Sequence, residues 1–313
     1  MEIVITDGFT LNPGDLSWKP FYELGEVIYY DRTASNQMEE RCRNAHVIIT
    51  NKTPVSSAVI DAAKQLRLIA VTATGYNMVD VAAAKKRGIL VCNVPDYGTY
   101  SVAQHTFALL LELTNQVGIH SASVRAGDWG RSADWCYTKG PIKELKDTTL
   151  GIIGLGKIGT QLATIAMAFG MRVIYYRGKK GLQNSKEVNL QDLFIQSDFI
   201  SVHCPLTADN NGFINKGLLA LMKPSAYLIN ASRGQLIVEK DLAEALLQNK
   251  IAGAALDVLS AEPPVPENPL LGIANCIITP HNAWISFEAR SRLMKTTFEN
   301  VSAMIKGNPK NMV

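Results

Sequence analysis

The 313-residue sequence has no apolar run long enough to span a bilayer, which argues against a helical membrane protein. Its start, MEIVITDG, lacks the basic leader and apolar core of a signal peptide and enters a strand pattern directly. Cysteine is scarce. The five residues (Cys42, Cys92, Cys136, Cys204, Cys276) are scattered, odd in number and without a CxxC pair, so reduced thiols in a cytoplasmic protein are expected rather than a disulfide framework. No two histidines have a zinc spacing, and the adjacent His203-Cys204 could not chelate one metal without strain, so a metal site is rejected. No Lys/Arg block is present, and 31 basic against 28 acidic residues leave a net charge of only +3, which implies no nucleic-acid partner. What is left is an ordinary soluble chain, 47% apolar and 19% charged, long enough for two cores.

Five β-rich runs (Ile3–Thr6, Glu26–Tyr30, His46–Thr50, Leu68–Thr72, Ile89–Asn93) alternate with helical patterns such as Ser56–Gln65 and Val79–Arg87. This predicts a parallel sheet with helices on its faces. Next comes an Ala- and Leu-rich stretch from about Tyr100 to Ala126, read as one long helix that bridges two domains or makes a dimer contact. The segment Gly127–Pro141 has no clear period, and its two tryptophans suggest a docking arm.

Strand-helix alternation then restarts at Thr149. Leu150–Ile153 reads as a buried strand, followed by Gly154-x-Gly156-x-x-Gly159 and apolar residues at helical spacing (Ile158, Leu162, Ile165, Ala166, Phe169). Gly154 suits the tight turn, Gly156 the approach of backbone to a pyrophosphate, and Gly159 close helix–strand packing. The helix N-terminus offers N–H groups and a partial positive charge to phosphate. Five further strands are predicted at Arg172–Tyr176, Phe199–His203, Ala226–Asn230, Gly253–Val258 and Cys276–Thr279. Six in all match a dinucleotide-binding sheet. A last helix, Ser286 to about Lys306, is left over, and its return to the first sheet makes that domain discontinuous. The expected division is 1–99 with 286–313, and 100–285.

Ligands of open α/β sheets bind beyond the carboxyl ends of the strands, so polar residues there are the candidates. They are His203, Ser232-Arg233-Gly234, Asp257 and His281. Glu262 follows in SAEPP, where two prolines hold the loop extended. His46 reads as a surface residue, and His105 and His120 as helix residues given to packing or solvent. One Arg, one Glu and one His suit reduction of a ketone. Histidinium delivers the proton and meets the charge building on oxygen. A carboxylate on its other ring nitrogen fixes the ring and favours its charged form. Arginine pairs with a substrate carboxylate. Spacing alone does not bring the three together.

With these motifs the chain resembles the D-2-hydroxyacid dehydrogenase family over nearly its whole length. The resemblance is carried by ATGYN (Ala73–Asn77), SVAQHTFALLL (Ser101–Leu111), GLGKIG, HCPLT (His203–Thr207), LMKPSAYLINASRG (Leu221–Gly234), LDVLSAEPP (Leu256–Pro264) and ITPHNAW (Ile278–Trp284). DGFTLNPGDLSW and NKTP look most like the glycerate dehydrogenase, or hydroxypyruvate reductase, branch. The resemblance implies two doubly wound parallel-sheet α/β domains, a Rossmann domain inserted into a discontinuous flavodoxin-like substrate domain, with a cleft between them. It implies Arg233 as the carboxylate and keto-oxygen ligand, His281 as proton donor, and Glu262 as its partner. Thr74, Gly75 and Tyr76 would hold the carboxylate by their backbone, and Lys52 could bond a substrate hydroxyl or carboxylate. Gly154, Gly156, Lys157, Ile158 and Gly159 would take the pyrophosphate. Thr74, Cys204, Ala231, Ser232, Asp257 and His281 would line the path to the nicotinamide, with Asp257 at the carboxamide. A homodimer through residues 100–141 is implied, in which Trp135 would reach a neighbouring active site.

One position departs from the pattern. Arg177 stands where the fingerprint expects an acid on the adenosine ribose, and Lys179 and Lys180 follow. An arginine there pairs with a 2′-phosphate, which favours NADP(H). An arginine that merely stacks on adenine would instead leave NAD(H) as the bound cofactor. The implied reaction is reduction of hydroxypyruvate or glyoxylate to D-glycerate or glycolate. Two alternatives are a phosphoglycerate dehydrogenase without a regulatory domain and a non-catalytic dinucleotide sensor. The sequence ends shortly after the last helical pattern, which argues against the regulatory domain. Glu262 stands where formate dehydrogenases carry Gln, which argues against that branch.

Overall fold

Short Val/Ile/Leu runs with both faces apolar fold as parallel strands covered on both sides, as the fully buried Val47–Thr50 and Leu68–Val71 show. The computed structural model describes residues 1–178 and 182–313, and it divides into two units, 1–98 with 285–313 and 99–284.

The first unit contains β1 (Glu2–Ile5), α1 (Lys19–Tyr22), β2 (Glu26–Tyr29), α2 (Met38–Arg41), β3 (Val47–Thr50), α3 (Ser57–Ala62), β4 (Leu68–Val71), α4 (Val81–Lys86) and β5 (Leu90–Cys92). The sheet is parallel throughout in the order β2-β1-β3-β4-β5, the flavodoxin-like winding. Val4, Ile48, Ile69 and Val91 pack on one face with Met38, Val59, Ile60 and Ala84 of the helices.

The second unit contains α5 (Thr99–Asn115), α6 (Val117–Arg125), β6 (Thr149–Leu155), α7 (Lys157–Ala168), β7 (Arg172–Gly178), β8 (Ser185–Glu187), α8 (Leu190–Gln196), β9 (Phe199–Val202), α9 (Lys216–Leu219), β10 (Tyr227–Asn230), α10 (Glu239–Leu247), β11 (Gly253–Leu256) and β12 (Cys276–Ile278). Its seven parallel strands run β12-β11-β10-β9-β6-β7-β8. The chain winds outward both ways from β6, so the crevice between the carboxyl ends of β6 and β9 is the switch point at which ligands bind. Alternate side chains divide between two cores. Ile153, Ile200 and Leu228 meet α8 and α10, whereas Leu150, Ile152 and Ile229 meet α5 and α7.

Two expectations are corrected, and the arm gains local detail. The sheet has seven strands, not six, because Ser185–Glu187, too short and polar to show a strand pattern, pairs with the edge of β7. The long helix is broken: Gln116 sits at φ 53°, and the Glu112 carboxylate accepts the Gly118 N–H that a continuous helix would have bonded to its own backbone. The arm carries a 3₁₀ turn at Trp129–Arg131, and the Trp129 indole donates to the Trp135 carbonyl.

The last helix, α11 (Phe287–Ile305), belongs to the first unit. It is capped by Ser286 and buries Leu293 and Val301. Arg290 pairs with both Asp15 oxygens at 2.7 and 2.6 Å, tying the helix to the loop after β1. Residues 311–313 then run along β5, where Asn93 N–H donates to the Asn311 carbonyl and Val313 N–H to that of Val91. Among the described residues no helix is long and apolar enough to cross a membrane.

Candidate active site

The glycine loop is shaped by backbone constraints. Gly154 lies at φ +97°, and a Cβ there would crowd the backbone of His203 and Cys204 at 2.8–3.0 Å. A Cβ on Gly159 would stand 2.6 Å from the Gly154 carbonyl oxygen, so helix and strand meet only because the side chain is absent. Above Gly156 there is open space, and as N-cap of α7 it offers no side-chain acceptor to the first-turn N–H groups around Lys157 and Ile158. An uncapped twelve-residue helix facing open space fits a pyrophosphate.

The loops after β9, β10, β11 and β12 carry the other candidates. The Ser232 hydroxyl donates to the Cys204 carbonyl at 2.7 Å, joining the first two loops. Buried Asn230 shapes the turn beyond β10, accepting Ser232 N–H and donating to the Arg233 carbonyl. Through it Ala231 and Ser232 are fixed and Arg233 is presented, with its Nη1 on the Ser232 carbonyl at 2.8 Å. Gly234 lies so close to Leu259 that a Cβ would overlap the Leu259 carbonyl carbon.

Glu262 and His281 are brought together. Their carboxylate and Nδ1 lie 2.6 Å apart, while the other Glu262 oxygen accepts the Leu259 N–H. The chain bends at residues 261–263 rather than running extended as the two prolines suggest, and the Glu262–Pro263 bond is cis. The same loop is held from α10, where the Glu239 carboxylate accepts from Ser260 N–H at 2.6 Å and from Asn268 at 2.8 Å.

His281 itself sits at φ 51°, a conformation that a non-glycine residue adopts only where its surroundings impose it. Here they do. His281 N–H donates to the Asp257 carbonyl, and the Asp257 carboxylate accepts from Asn282 N–H, Ala283 N–H and the Thr279 hydroxyl at 2.7–3.0 Å. Burial opposes charge on Asp257, but hydrogen bonds from His105, Thr279, Ala283 and Asn282 outweigh it and hold the carboxyl below its usual range. Beside it, the buried Asn282 side-chain oxygen has no hydrogen-bond partner among the described residues, an acceptor open to a donor from outside the chain.

Two histidines correct the sequence reading. His203 does not serve the site as an acid. Its Nε2 is bonded to Ser201 at 2.8 Å, and burial pushes the imidazole down to about 4, so it is neutral near pH 7. His105 is not a mere packing residue, since its Nε2 lies 3.1 Å from Thr279 Oγ1 and 3.4 Å from Asp257. Its place four residues from Ser101, whose hydroxyl bonds the Ala283 carbonyl at 2.6 Å, is the one signal that could have pointed to it.

Arg177, the last but one residue of β7, is exposed, at φ 55°, with its guanidinium 5.1 Å from the Tyr176 ring. Lys179 and Lys180 lie outside the described residues. In the first unit, Thr74 bonds the Val94 carbonyl, Gly75 is half-buried, and Tyr76 and Lys52 are exposed. The Lys52 turn is set by Asp7, whose carboxylate accepts the N–H groups of Asn51, Lys52 and Thr53 at 2.6–2.9 Å. Asp7 opens the DGFTLNPGDLSW stretch, but nothing in the sequence pattern gave it this bracing role.

The family model described as D-isomer specific 2-hydroxyacid dehydrogenase, NAD binding domain, matches residues 107–283. The chain is 47% identical to a hydroxypyruvate reductase of Blautia hydrogenotrophica, over all of this chain and 99% of that one. It is 39% identical to a glycerate dehydrogenase of Methylorubrum extorquens, over 96% and 95% of the two chains. Among solved structures, an acyclic imino acid reductase in complex with NADPH and D-Arg superposes with a TM-score of 0.88 over the whole of both chains, at 33% identity.

Proposed function

The chain belongs to the D-isomer specific 2-hydroxyacid dehydrogenases, and from that premise we propose that it reduces hydroxypyruvate or glyoxylate to D-glycerate or glycolate. The observation that carries this reading is the 2.6 Å bond between Glu262 and His281, which follow β11 and β12, the two strands next in line in the sheet after β10, the strand that presents Arg233. The second unit is a nicotinamide-dinucleotide-binding domain. When bound there, the nicotinamide supplies the reducing equivalent to the carbonyl carbon. The protein's own part is binding, orientation and proton delivery. Arg233 pairs with the substrate carboxylate and draws the keto oxygen. With Nδ1 committed to Glu262, His281 gives its Nε2 proton to that oxygen as negative charge builds on it. Backbone N–H groups of Thr74, Gly75 and Tyr76 and the Lys52 ammonium are the contribution assigned to the first unit. Gly154, Gly156, Lys157, Ile158 and Gly159 hold the pyrophosphate, and Cys204, Ala231, Ser232 and Asp257 border the path to the nicotinamide.

NADP(H) is the cofactor this reading favours. Arg177, exposed at the end of β7, brings a donor pair and no repulsion to a 2′-phosphate. Homodimerisation is assigned to the 100–141 region, where Val117, Ile119, Trp129 and Trp135 are all more than half exposed. Sedimentation at micromolar concentration should show a dimer, and a monomer would remove that assignment.

The deciding experiment is a steady-state screen of hydroxypyruvate, glyoxylate, pyruvate and phosphohydroxypyruvate with NADPH and NADH. Hydroxypyruvate or glyoxylate should give the highest kcat/KM, with the lower KM for NADPH. In His281→Ala turnover should fall at least about 10²-fold while cofactor still binds. A cofactor-binding protein inert towards all four acids would instead be a sensor, and a lower KM for NADH would end the NADP assignment.

A further inference from the structure

Asp257 is surrounded only by donors, and the order of its contacts fixes where each proton lies. The Thr279 hydroxyl is 2.7 Å from Asp257 Oδ1, and Asn282 N–H also reaches that oxygen at 2.9 Å. Ala283 N–H reaches Oδ2 at 3.0 Å. A hydroxyl has one proton, and Thr279 spends it on the carboxylate. Thr279 Oγ1 therefore accepts from its other neighbour, His105 Nε2, at 3.1 Å. His105 must then carry its proton on Nε2, from where it also faces Asp257 Oδ1 at 3.4 Å. The chain of donors runs one way, from His105 through Thr279 to Asp257.

We propose that His105 is a positioning residue that commits Asp257 to accepting hydrogen bonds only, readying it for the amide N–H of a nicotinamide. The proposal rests on the reading of Asp257 as the carboxamide partner. If His105 presented a bare Nε2, Thr279 would turn its proton towards the ring. Asp257 Oδ1 would then lose the shorter of its two donors and keep only Asn282 N–H. Ser101 and His105 lie one turn apart on α5 and hold the two ends of the segment Thr279–Ala283. The first two turns of α5 thus brace both the carboxylate and the loop carrying His281. The donor needs no charge. The same bond forms with the ring neutral or protonated, so this residue differs in kind from the proton-donating His281.

Two measurements test it, neither of which needs turnover. In the wild-type protein labelled with ¹⁵N-histidine, long-range ¹H–¹⁵N spectra should show neutral His105 protonated at Nε2, and a ring protonated at Nδ1 alone overturns the proposal. In the second, dissociation constants are read by protein fluorescence for the tighter-binding of NADPH and NADH, and for ADP-ribose or its 2′-phosphate, which lack nicotinamide. His105→Phe and Thr279→Val should each weaken the dinucleotide about five-fold, the scale of one hydrogen bond, and no further together. Both should leave the ADP-ribose fragment unchanged. His105→Gln, whose amide N–H stands in for Nε2–H, should restore dinucleotide binding. Equal weakening of both ligands, additive losses, or no rescue by Gln overturns the proposal. If hydroxypyruvate is not turned over at all, the reaction fails as a reading while these binding results still decide the role of His105.

Discussion

Glu262 accepts from one ring nitrogen of His281, and in the proposed reaction the other faces substrate, so the pair acts as a unit. Glu262→Gln keeps the shape but offers an amide that can donate as well as accept, which lets the imidazole present the wrong tautomer. Its kcat for hydroxypyruvate should fall about 10²-fold with cofactor affinity unchanged, and an undiminished kcat would mean that the ring is oriented by the Asp257 clamp alone. Asp257 gives a test against pH. Its carboxyl is held below its ordinary value in the folded protein, so it contributes stability above about pH 4 that is lost as pH falls through the lowered folded value. Asp257→Asn should therefore cost roughly 2 kcal/mol at pH 7, where it removes charge-assisted bonds, and less at about pH 3, below the ordinary carboxyl value. Urea unfolding at the two pH values measures the difference, and an equal loss at both would show that the carboxylate charge plays no part.

The turn after β10 and the loop after β11 can meet only because position 234 has no side chain. Gly234→Ala places a methyl on the Leu259 carbonyl, and either the Arg233 turn or the Glu262 loop must move. Overpacking of this kind costs about 1–3 kcal/mol, and a shift of either element degrades the site. The variant should unfold earlier in urea and lose kcat/KM by more than its lost stability explains, and full activity would show that the loops are not coupled. The sequence pattern carried all but one of the strands because fully buried parallel strands read as apolar runs, as in Val47–Thr50 and Phe199–Val202. It was silent where structure depends on one local contact. Ser185–Glu187 is a strand only because β7 lies beside it, and the break at Gln116 follows from Glu112 capping Gly118. Motif residues such as Arg233, Glu262 and His281 stood out as polar groups just beyond apolar strands. Asp7, Glu239 and His105 did not, because each acts through a partner more than twenty residues away, which spacing along the chain does not report.

The two units differ in how the chain closes them. Residues 99–284 are continuous and hold two cores on the faces of one sheet, so this segment contains what it needs to fold. The first unit does not have that independence within residues 1–98. It draws on α11, on the Arg290–Asp15 pair, on the Asn300 side chain bonded to the Asn93 carbonyl, and on residues 311–313 against β5. Cutting the chain after Trp284 would remove all of these and expose apolar surface that Leu293 and Val301 now cover. A 1–284 protein should therefore unfold in two steps under urea, the first at a much lower concentration and without the second-unit signal. Adding cofactor should raise only the later transition, by about 2.7 kcal/mol at a hundred times Kd, because ligand stabilises only the unit that binds it. The separate 99–284 segment should show that later transition alone and bind the dinucleotide without reducing hydroxypyruvate. A single cooperative transition in the 1–284 protein, shifted as a whole by cofactor, would mean that the two units fold as one and that the last helix closes neither.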